Sequence, residues 1–327
     1  MGAFECVSAS NISPTESTET FNINMSSNTT LNEPNRDLES QVENKCNNGD
    51  SCKFIWMLGT DLPLLINFLL LIGLFELGII PGNKAGFYCN DPKLAHEYRG
   101  DTVGTTLLMS TVFGLPLLVI LTVEYYFIHP EFLCNCRFQR ACTAMLYLYR
   151  LFLYGLLLNI GIVEVMKGLM GNPRPTFFAI CDPDAGKTCT ESEFVADYNC
   201  TVNQHNWWLQ SDSYRSFPSG HTSMSVYTAF FLAWYLHRRT FSWNNRSTFL
   251  LPMLTLLLIS YAAVCSLTRI TDHRHHWWDV LVGFIIGCLC VFYAVILGKN
   301  FTYNYSKCTR PSQPVCCRNT TTTTTPN

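Results

Sequence analysis

Residues 268 to 279 read TRITDHRHHWWD and place three histidines, two arginines and two aspartates between two apolar runs. His275 and Asp279 are four residues apart, so they share one face if this stretch is helical. A carboxylate beside an imidazole holds the ring and fixes its tautomer, as in the orienting pair of nucleophilic catalysis. The spacing therefore predicts a reactive His275 oriented by Asp279. The alternative is a short solvated loop followed by two interfacial tryptophans.

A second stretch, KGLMGNPRP at residues 167 to 175, carries the cations Lys167 and Arg174. Gly171 and Pro173 disfavour a continuous helix, so we expect a turn to carry Arg174 back towards Lys167. The alternative is that both side chains are interfacial anchors whose charged ends reach the membrane surface.

A third stretch, SFPSGHTS at residues 216 to 223, has the features of a helix start. Pro218 and Ser219 precede the helix, and Gly220 removes side-chain bulk at its first turn. Because the free N–H groups of a helix N-terminus attract anions, the pattern predicts an anion site with His221 beside it. The alternative is an ordinary serine cap followed by an interfacial histidine.

The elements that must position these residues are membrane helices. The chain is 48% hydrophobic and 14% charged, against about 25% charged in soluble domains, and its net charge of -2 gives no reason to expect nucleic-acid binding. A helix needs roughly 20 apolar residues to cross a bilayer. We predict an all-α polytopic membrane protein with six spans, Leu62–Ile80, Thr105–Phe127, Met145–Val165, Thr222–Leu236, Leu250–Leu267 and Trp278–Leu297.

Basic residues predict the orientation of these spans, since short cytosolic loops carry an excess of Lys and Arg. The excess falls on the loops 128–144 and 237–248 and on the tail after Lys299. Residues 1–59 and 299–327 are polar and are predicted to be disordered cytosolic tails around a membrane domain at 60–298. The opposite, extracellular or lumenal face then holds the loops 82–101, 167–220 and 268–276, and with them all three polar stretches.

The combined charge of this face favours an anion over a metal ion. The side chains of His273, His275, His276 and Asp279 are of types that bind zinc. However, cations that would repel Zn²⁺ or Mg²⁺ are predicted around them, namely Lys167, Arg174, Arg269 and Arg274. Arginine also offers a fork that matches phosphate oxygens. We therefore predict phosphoryl-transfer chemistry that uses no cofactor and no metal.

The outer loops also carry residues that suit a non-cytosolic face. Cys89, Cys181, Cys189 and Cys200 could form disulfides there, in a connectivity that the sequence leaves open. Asn199 begins the sequon Asn-Cys-Thr and is the predicted N-glycosylation site. Glu164 lies three residues before Lys167, which predicts an ion pair rather than a transport path through the membrane.

The three stretches together resemble the signature motifs of the type 2 phosphatidic acid phosphatase superfamily. The matching patterns are Lys167-x6-Arg174-Pro175, Pro218-Ser219-Gly220-His221 and Arg269-x5-His275-x3-Asp279, and the similarity covers about residues 60 to 300. GFYCNDPKL at 86–94 also resembles the first outer loop of the integral-membrane lipid phosphate phosphatases. Thr268 departs from the pattern, because the family usually has Ser there.

This resemblance implies a six-helix bundle with its active site at the extracellular or lumenal face. It implies that His275 attacks phosphorus to form a phosphohistidine, with Asp279 orienting the ring and His221 acting as acid and then base. The phosphate would be held by Lys167, Arg174, Ser219, Gly220 and Arg269, and Thr268 is a candidate assisting residue.

The resemblance implies substrates in the bilayer, namely phosphatidate, lysophosphatidate, sphingosine 1-phosphate or ceramide 1-phosphate. The expected location is the plasma membrane with an extracellular site, and an endoplasmic reticulum or Golgi membrane with a lumenal site is the alternative. Both a monomer and a homo-oligomer fit the sequence. The competing functions are hydrolysis of a lipid diphosphate or a soluble phosphate ester, and non-catalytic lipid binding.

Overall fold

The computed structural model describes residues 62–76, 79, 82–127, 134–190, 193–201, 207–240 and 249–308. The contacts given below lie within the unit Leu64–Asn327. The described residues are mostly helical, and the helices in chain order are α1 Leu62–Glu76, α2 Thr105–Phe127, α3 Cys134–Met170, α4 Phe177–Cys181, α5 Trp207–Asp212, α6 Gly220–Thr240, α7 Leu250–Thr271 and α8 Trp277–Cys308.

Four of these helices are long and apolar enough to cross a bilayer, which makes the chain an integral membrane protein. The qualifying segments are Thr105–Tyr126, Ala141–Met170, Leu250–Thr271 and Trp277–Ile296. Helix α1 contributes only the shorter apolar segment Leu65–Leu74, and α6 is not among the four. Helices therefore occupy all six predicted positions, while the count of six spans remains a prediction.

Helix α6 lies at the centre of the bundle. It packs most extensively against α7 and α8 and also contacts α2 and α3. Its first two turns are rich in hydroxyl side chains, and these are buried. The Ser223 hydroxyl donates to Asn159 Oδ1 at 2.9 Å, and the Tyr227 hydroxyl donates to the Phe152 carbonyl at 2.8 Å. Neighbouring helices thus satisfy polar groups that lipid could not.

Two glycines let α8 approach the start of α6. A Cβ at Gly283 would lie 2.5 Å from the Ser219 carbonyl oxygen, and one at Gly287 would lie 2.8 Å from that of Ser223. Small residues at such positions allow helix backbones to pack closely in membranes. This contact brings Asp279, one turn before Gly283, beside Ser219, whose N–H donates to the Asp279 carbonyl at 3.0 Å.

Helix α3 ends at Met170, as the glycine and proline after Lys167 predict. Gly171 has a φ of +58°, which a residue with a side chain rarely adopts, and its N–H donates to the Lys167 carbonyl at 3.2 Å. A Cβ at Gly171 would also collide with the Asn83 carbonyl. The chain therefore turns at this point, and the turn carries Arg174 back over the helix end.

The three loops that we predict on one face do come together. Strand β1 (Phe87–Tyr88) pairs with β2 (Phe194–Val195) in an antiparallel register. Disulfides join Cys89 to Cys189 and Cys181 to Cys200, which resolves the connectivity that the sequence leaves open. The third loop joins them because the Thr102 N–H and hydroxyl both donate to the Asp272 carboxylate, at 2.8 and 2.7 Å.

Several predicted boundaries differ from the observed ones. The loop predicted at 128–144 is helical from Cys134, because α3 continues beyond its apolar part. Helix α8 likewise continues to Cys308, past the predicted domain end at 298. Helix α1 ends at Glu76, before the predicted Ile80. The N-terminal tail to residue 59 and the residues after 308 lie outside the described part of the chain.

Candidate active site

A cavity of about 330 Å³ opens where the outer loops meet the helix ends. Six of the residues predicted from sequence line it together, namely Lys167, Arg174, Gly220, His221, Arg269 and His275. They come from the end of α3 and the turn after it, the start of α6, the end of α7 and the residue pair before α8. Residues more than one hundred positions apart therefore surround one space.

His275 presents one ring nitrogen to this cavity and uses the other to fix its orientation. The carbonyl oxygen of Ser216 lies 2.7 Å from Nδ1, so Nδ1 carries the proton and donates it to this acceptor. Nε2 then keeps its lone pair and lies 3.4 Å from the Arg174 guanidinium. Burial, together with the Arg174 charge, lowers the pKa of His275 to about 3. The ring is therefore neutral at physiological pH, as a nucleophile must be.

Asp279 lies beside His275, although it is not the closest acceptor for that ring. Its Oδ2 atom is 3.7 Å from His275 Nδ1. The same oxygen accepts the Ser216 hydroxyl at 2.5 Å and the His276 N–H at 2.9 Å. Asp279 is fully buried and does not line the cavity. It therefore fixes the segment that holds His275 and adds negative charge behind the ring.

Arg174 is held by a carboxylate that the sequence patterns do not identify. Its Nε donates to the Asp212 carbonyl at 2.7 Å, and its NH2 donates to Asp212 Oδ1 at 2.5 Å. NH1 donates to the Arg274 carbonyl at 3.0 Å and stays within reach of His275. Burial alone would raise the pKa of Asp212, but the charges of Arg174 and Arg274 bring that pKa below its ordinary value. Asp212 is thus an anion that orients Arg174.

Arg269 is the largest fully buried side chain among the described residues, with 1% of its surface exposed. Its NH1 donates to Asp101 at 3.2 Å, and its NH2 donates to the Val103 carbonyl at 2.9 Å and to Asp272 at 3.2 Å. Its Nε is buried and makes no hydrogen bond within the described part of the chain. One nitrogen of a fixed guanidinium therefore has no hydrogen-bond partner among the described residues.

The start of α6 contributes His221 and Gly220 to the cavity, while Ser219 lies behind them. The His221 Nε2 atom is buried and has no hydrogen-bond partner among the described residues. A Cβ at Gly220 would lie 3.7 Å from Lys167 Nζ, so it would take up cavity space without a backbone clash. Ser219 is fully buried outside the cavity lining, and its Oγ accepts the Thr222 hydroxyl at 3.1 Å.

Lys167 forms the predicted ion pair with Glu164, at 3.0 Å. Glu164 also accepts from Arg215 at 2.9 Å, so one carboxylate binds two cations at the end of α3. Thr268 is a third predicted residue, after Asp279 and Ser219, that does not line the cavity. Its hydroxyl donates to the Val264 carbonyl of its own helix at 2.7 Å, and Thr268 is not among the lining residues.

The sequence patterns miss three residues that hold the site together, namely Asp101, Asp212 and Ser216. Ser216 does lie inside a stretch that those patterns single out. Arg274, predicted as one of the cations of this face, lines the cavity. Asp101 lies in an outer loop and Asp212 ends α5, both without distinctive spacing, and only the tertiary structure places them on the arginines.

Asn199 lies in the outer loops beside the Cys181–Cys200 disulfide and is exposed. Its N–H and its side-chain amide both donate to the Asp184 carboxylate, at 2.9 and 3.3 Å. Glycosylation at Asn199 stays a prediction.

The chain is similar to known proteins over most of its length. Residues 148–303 match the profile of the PAP2 superfamily. Phospholipid phosphatase 2 of Mus musculus is 30% identical over 233 residues, which is 71% of this chain and 80% of that protein. Phospholipid phosphatase 2 of Bos taurus is 31% identical over 208 residues, which is 63% of this chain and 70% of that protein. Phospholipid phosphatase 1 of Mus musculus is 30% identical over 233 residues, which is 68% of this chain and 79% of that protein. No solved structure matches the chain.

The matched region contains the end of α3, the start of α6, the end of α7 and the start of α8, and with them the six predicted residues that line the cavity. Identity at this level, over more than two thirds of each mouse relative, establishes common descent with those proteins. The chain therefore belongs to the PAP2 superfamily.

Proposed function

We propose that this membrane phosphatase hydrolyses lipid phosphate monoesters through a phosphohistidine on His275, without a metal. Its curated relatives are named phospholipid phosphatases, and the chain accordingly acts on lipid phosphates as a class. The proposed substrates are phosphatidate, lysophosphatidate, sphingosine 1-phosphate and ceramide 1-phosphate.

The observation that carries this proposal is the mixed lining of the cavity. The lining holds the cations and histidines described above. It also includes apolar side chains from α1, α2, α3 and α6, namely Ile72, Met109, Ile160, Val163 and Met224. An ester with a phosphate at one end and a hydrocarbon chain at the other matches this mixture, whereas a sugar phosphate would leave the apolar side chains unused.

In the proposed reaction, the lone pair of His275 Nε2 forms a bond to phosphorus as the ester P–O bond breaks. His221 gives a proton to the leaving alkoxide, and the negative charge of bound phosphate favours the protonated form of His221 beforehand. In the second step, His221 takes a proton from a water molecule while the oxygen of that water bonds to phosphorus. The N–P bond breaks, and inorganic phosphate and neutral His275 are restored.

Fixed positive charge supplies the stabilisation that many phosphoryl-transfer enzymes obtain from Mg²⁺. Arg174 and Arg269 are held by carboxylates and carbonyls before any substrate arrives, so little reorganisation is needed during the reaction. Lys167 adds a further charge, shared with Glu164. We assign the phosphoryl oxygens to these three side chains, with the N–H groups at the start of α6.

The proposed location of the site is the extracellular or lumenal face. Two disulfides lie in the loops around it, and disulfides persist in oxidising compartments. The plasma membrane with an outward site is the arrangement we propose.

Hydrolysis should continue when divalent metals are removed. We expect the detergent-solubilised full chain to release phosphate from lysophosphatidate in excess EDTA at the rate seen without chelator, because its own cations replace the metal. Phosphate release is measured in parallel on glucose 6-phosphate, which should be a poor substrate. Loss of activity in EDTA with recovery in Mg²⁺ would contradict the metal-free mechanism. Absence of hydrolysis by folded protein would contradict the enzyme assignment.

Replacing Arg269 by lysine should reduce kcat/KM although it conserves charge. One ammonium cannot bind Asp101, Asp272 and the Val103 carbonyl and still leave a donor for phosphate. We expect a loss of about tenfold to a hundredfold, the range for hydrogen bonds between charged groups. The matched control is Arg239→Lys, which changes an ion pair with Glu124 towards the other end of α6. A normal kcat/KM in Arg269→Lys would remove Arg269 from the site.

A further inference from the structure

Arg274 lines the cavity and immediately precedes His275 in the chain. It is not one of the defined positions of the three motifs. Its side chain is 5% exposed, so its charge is almost entirely withdrawn from solvent. A buried cation needs partners that offset its desolvation. The partners of Arg274 show how it is held and which of its atoms remains available.

Two carboxylates from separate outer segments fix the guanidinium. Nε lies 3.0 Å from Asp101 Oδ1, and NH2 donates to Asp212 Oδ2 at 3.0 Å. The ring of Tyr98 lies 5.1 Å from the guanidinium carbon, within the range of a cation–π contact. Because the group is planar, the hydrogen bond at NH2 and the ion pair with Asp101 together orient the whole guanidinium.

NH1 is buried and makes no hydrogen bond within the described residues, and Nε, although it forms the ion pair with Asp101, makes none there either. An unsatisfied buried donor is costly, and native structures keep few of them. Two other residues that line this cavity also have a buried nitrogen without a hydrogen bond among the described residues, namely His221 at Nε2 and Arg269 at Nε. An anionic ligand would give the arginine donors a partner, and also His221 once its Nε2 is protonated.

Arg274 is also coupled to the nitrogen that attacks phosphorus. Asp212 binds Arg174 through Oδ1 and Arg274 through Oδ2, so one carboxylate holds both guanidinium groups. The NH1 of Arg174, which lies 3.4 Å from His275 Nε2, donates to the backbone carbonyl of Arg274. Asp212 therefore holds the two arginines as a pair, and Arg174 of that pair lies beside His275 Nε2.

We infer that Arg274 binds an oxygen of the substrate phosphoryl group through NH1, as a further cation beside Lys167, Arg174 and Arg269. Asp212 and Asp101 act as positioning residues that hold its guanidinium. This inference rests on the proposed function, because it assigns a phosphate to the same cavity.

Inorganic phosphate, the product of the proposed reaction, is the probe for this role. In the full chain in detergent, Arg274→Gln should raise the inhibition constant for phosphate and the KM for lysophosphatidate by about tenfold to a hundredfold. Arg274→Lys should raise both by at least about threefold, because one ammonium cannot satisfy two carboxylates and a phosphate together.

The matched control is Arg239→Gln, which removes a cation from the ion pair with Glu124 away from the cavity. It should leave the phosphate inhibition constant unchanged. If Arg274 only fastens the outer loops, Arg274→Gln will lower the unfolding temperature and keep the inhibition constant of the parent chain, which overturns the inference. If Arg274→Gln does not fold, an unchanged inhibition constant in Arg274→Lys overturns it.

A readout without turnover separates this inference from the proposed function. Phosphate should raise the unfolding temperature of the parent chain above its value in chloride at equal ionic strength, and Arg274→Lys should diminish that increase. A chain that binds phosphate through Arg274 but releases none from lysophosphatidate would contradict the proposed function and uphold this inference. If the parent chain hydrolyses lysophosphatidate normally, and phosphate raises the unfolding temperature of Arg274→Lys as much as that of the parent chain, the proposed function is upheld and this inference is contradicted.

Discussion

Replacing His275 by alanine should abolish hydrolysis of lysophosphatidate and the phosphoenzyme with it. Only Nε2 of this ring combines a free lone pair with a place in the cavity lining, since Nδ1 donates to Ser216. No other group described in the site would take over the bond to phosphorus. The measurement is steady-state phosphate release, together with trapping of radiolabelled protein from lysophosphatidate labelled in its phosphate. The label on the parent chain should survive alkali and be lost in acid.

The matched control is His237→Ala, which removes an exposed histidine near the end of α6, 3.2 Å from the Thr255 hydroxyl. It should keep both turnover and labelling. Turnover at a near-parental rate in His275→Ala would exclude His275 as the nucleophile. Labelling that persists in that variant would place the covalent bond on another residue.

Replacing His221 by alanine should slow lysophosphatidate hydrolysis by roughly 10² to 10⁴-fold, the usual contribution of a general acid–base group. His221 lines the cavity and has a buried Nε2 without a partner among the described residues. An aryl phosphate has a leaving group that needs no proton, so His275 should still be phosphorylated by it. Breakdown of that intermediate needs a base, so we expect labelled protein to accumulate from an aryl phosphate.

The control in the same helix is Thr228→Val, which replaces a buried hydroxyl by a methyl group of similar size, away from the cavity. Its rate should match that of the parent chain. A His221→Ala variant with a near-parental rate on lysophosphatidate would exclude the acid–base role. Equal slowing on both substrates with no accumulated label would place His221 in binding rather than in proton transfer.

Sequence spacing predicts the convergence of the site because each polar stretch marks the end of a helix. Gly171 ends α3 and turns Arg174 back, and the Pro-Ser-Gly run starts α6 with His221 in its first turn. The end of α3 and the start of α6 both depend on the backbone preferences of glycine and proline, which can be recognised in a sequence. The i, i+4 spacing of His275 and Asp279 likewise predicts their proximity, now seen at 3.7 Å.

The partners of the site residues could not be predicted in this way. Asp212 is 38 positions from Arg174, and Asp101 is 168 positions from Arg269. Contacts over such separations depend on how loops pack, and no periodic pattern encodes them. The acceptor for His275 Nδ1 is a backbone carbonyl, that of Ser216, which every residue type provides. Only the folded chain reveals which one is used.

The helix boundaries show a different limit. Hydropathy marks the part of a helix that suits lipid, while helix propensity also extends through polar residues such as those of CNCRFQR at the start of α3. Observed helices therefore exceed predicted spans at Cys134 and at Cys308. Helix α6 also exceeds its predicted span, and its enclosure by other helices allows hydroxyl side chains where a lipid-facing helix needs apolar ones.

The enclosure of α6 has a consequence for biosynthesis. A segment with so many hydroxyl groups gains little by entering lipid alone, and its partner Asn159 lies on an earlier helix while Gly283 and Gly287 lie on a later one. We expect α6 to integrate stably only when the growing chain already offers α3 and can add α8 around it. Maturation of the catalytic centre and insertion of its central helix then become a single late event at the translocon.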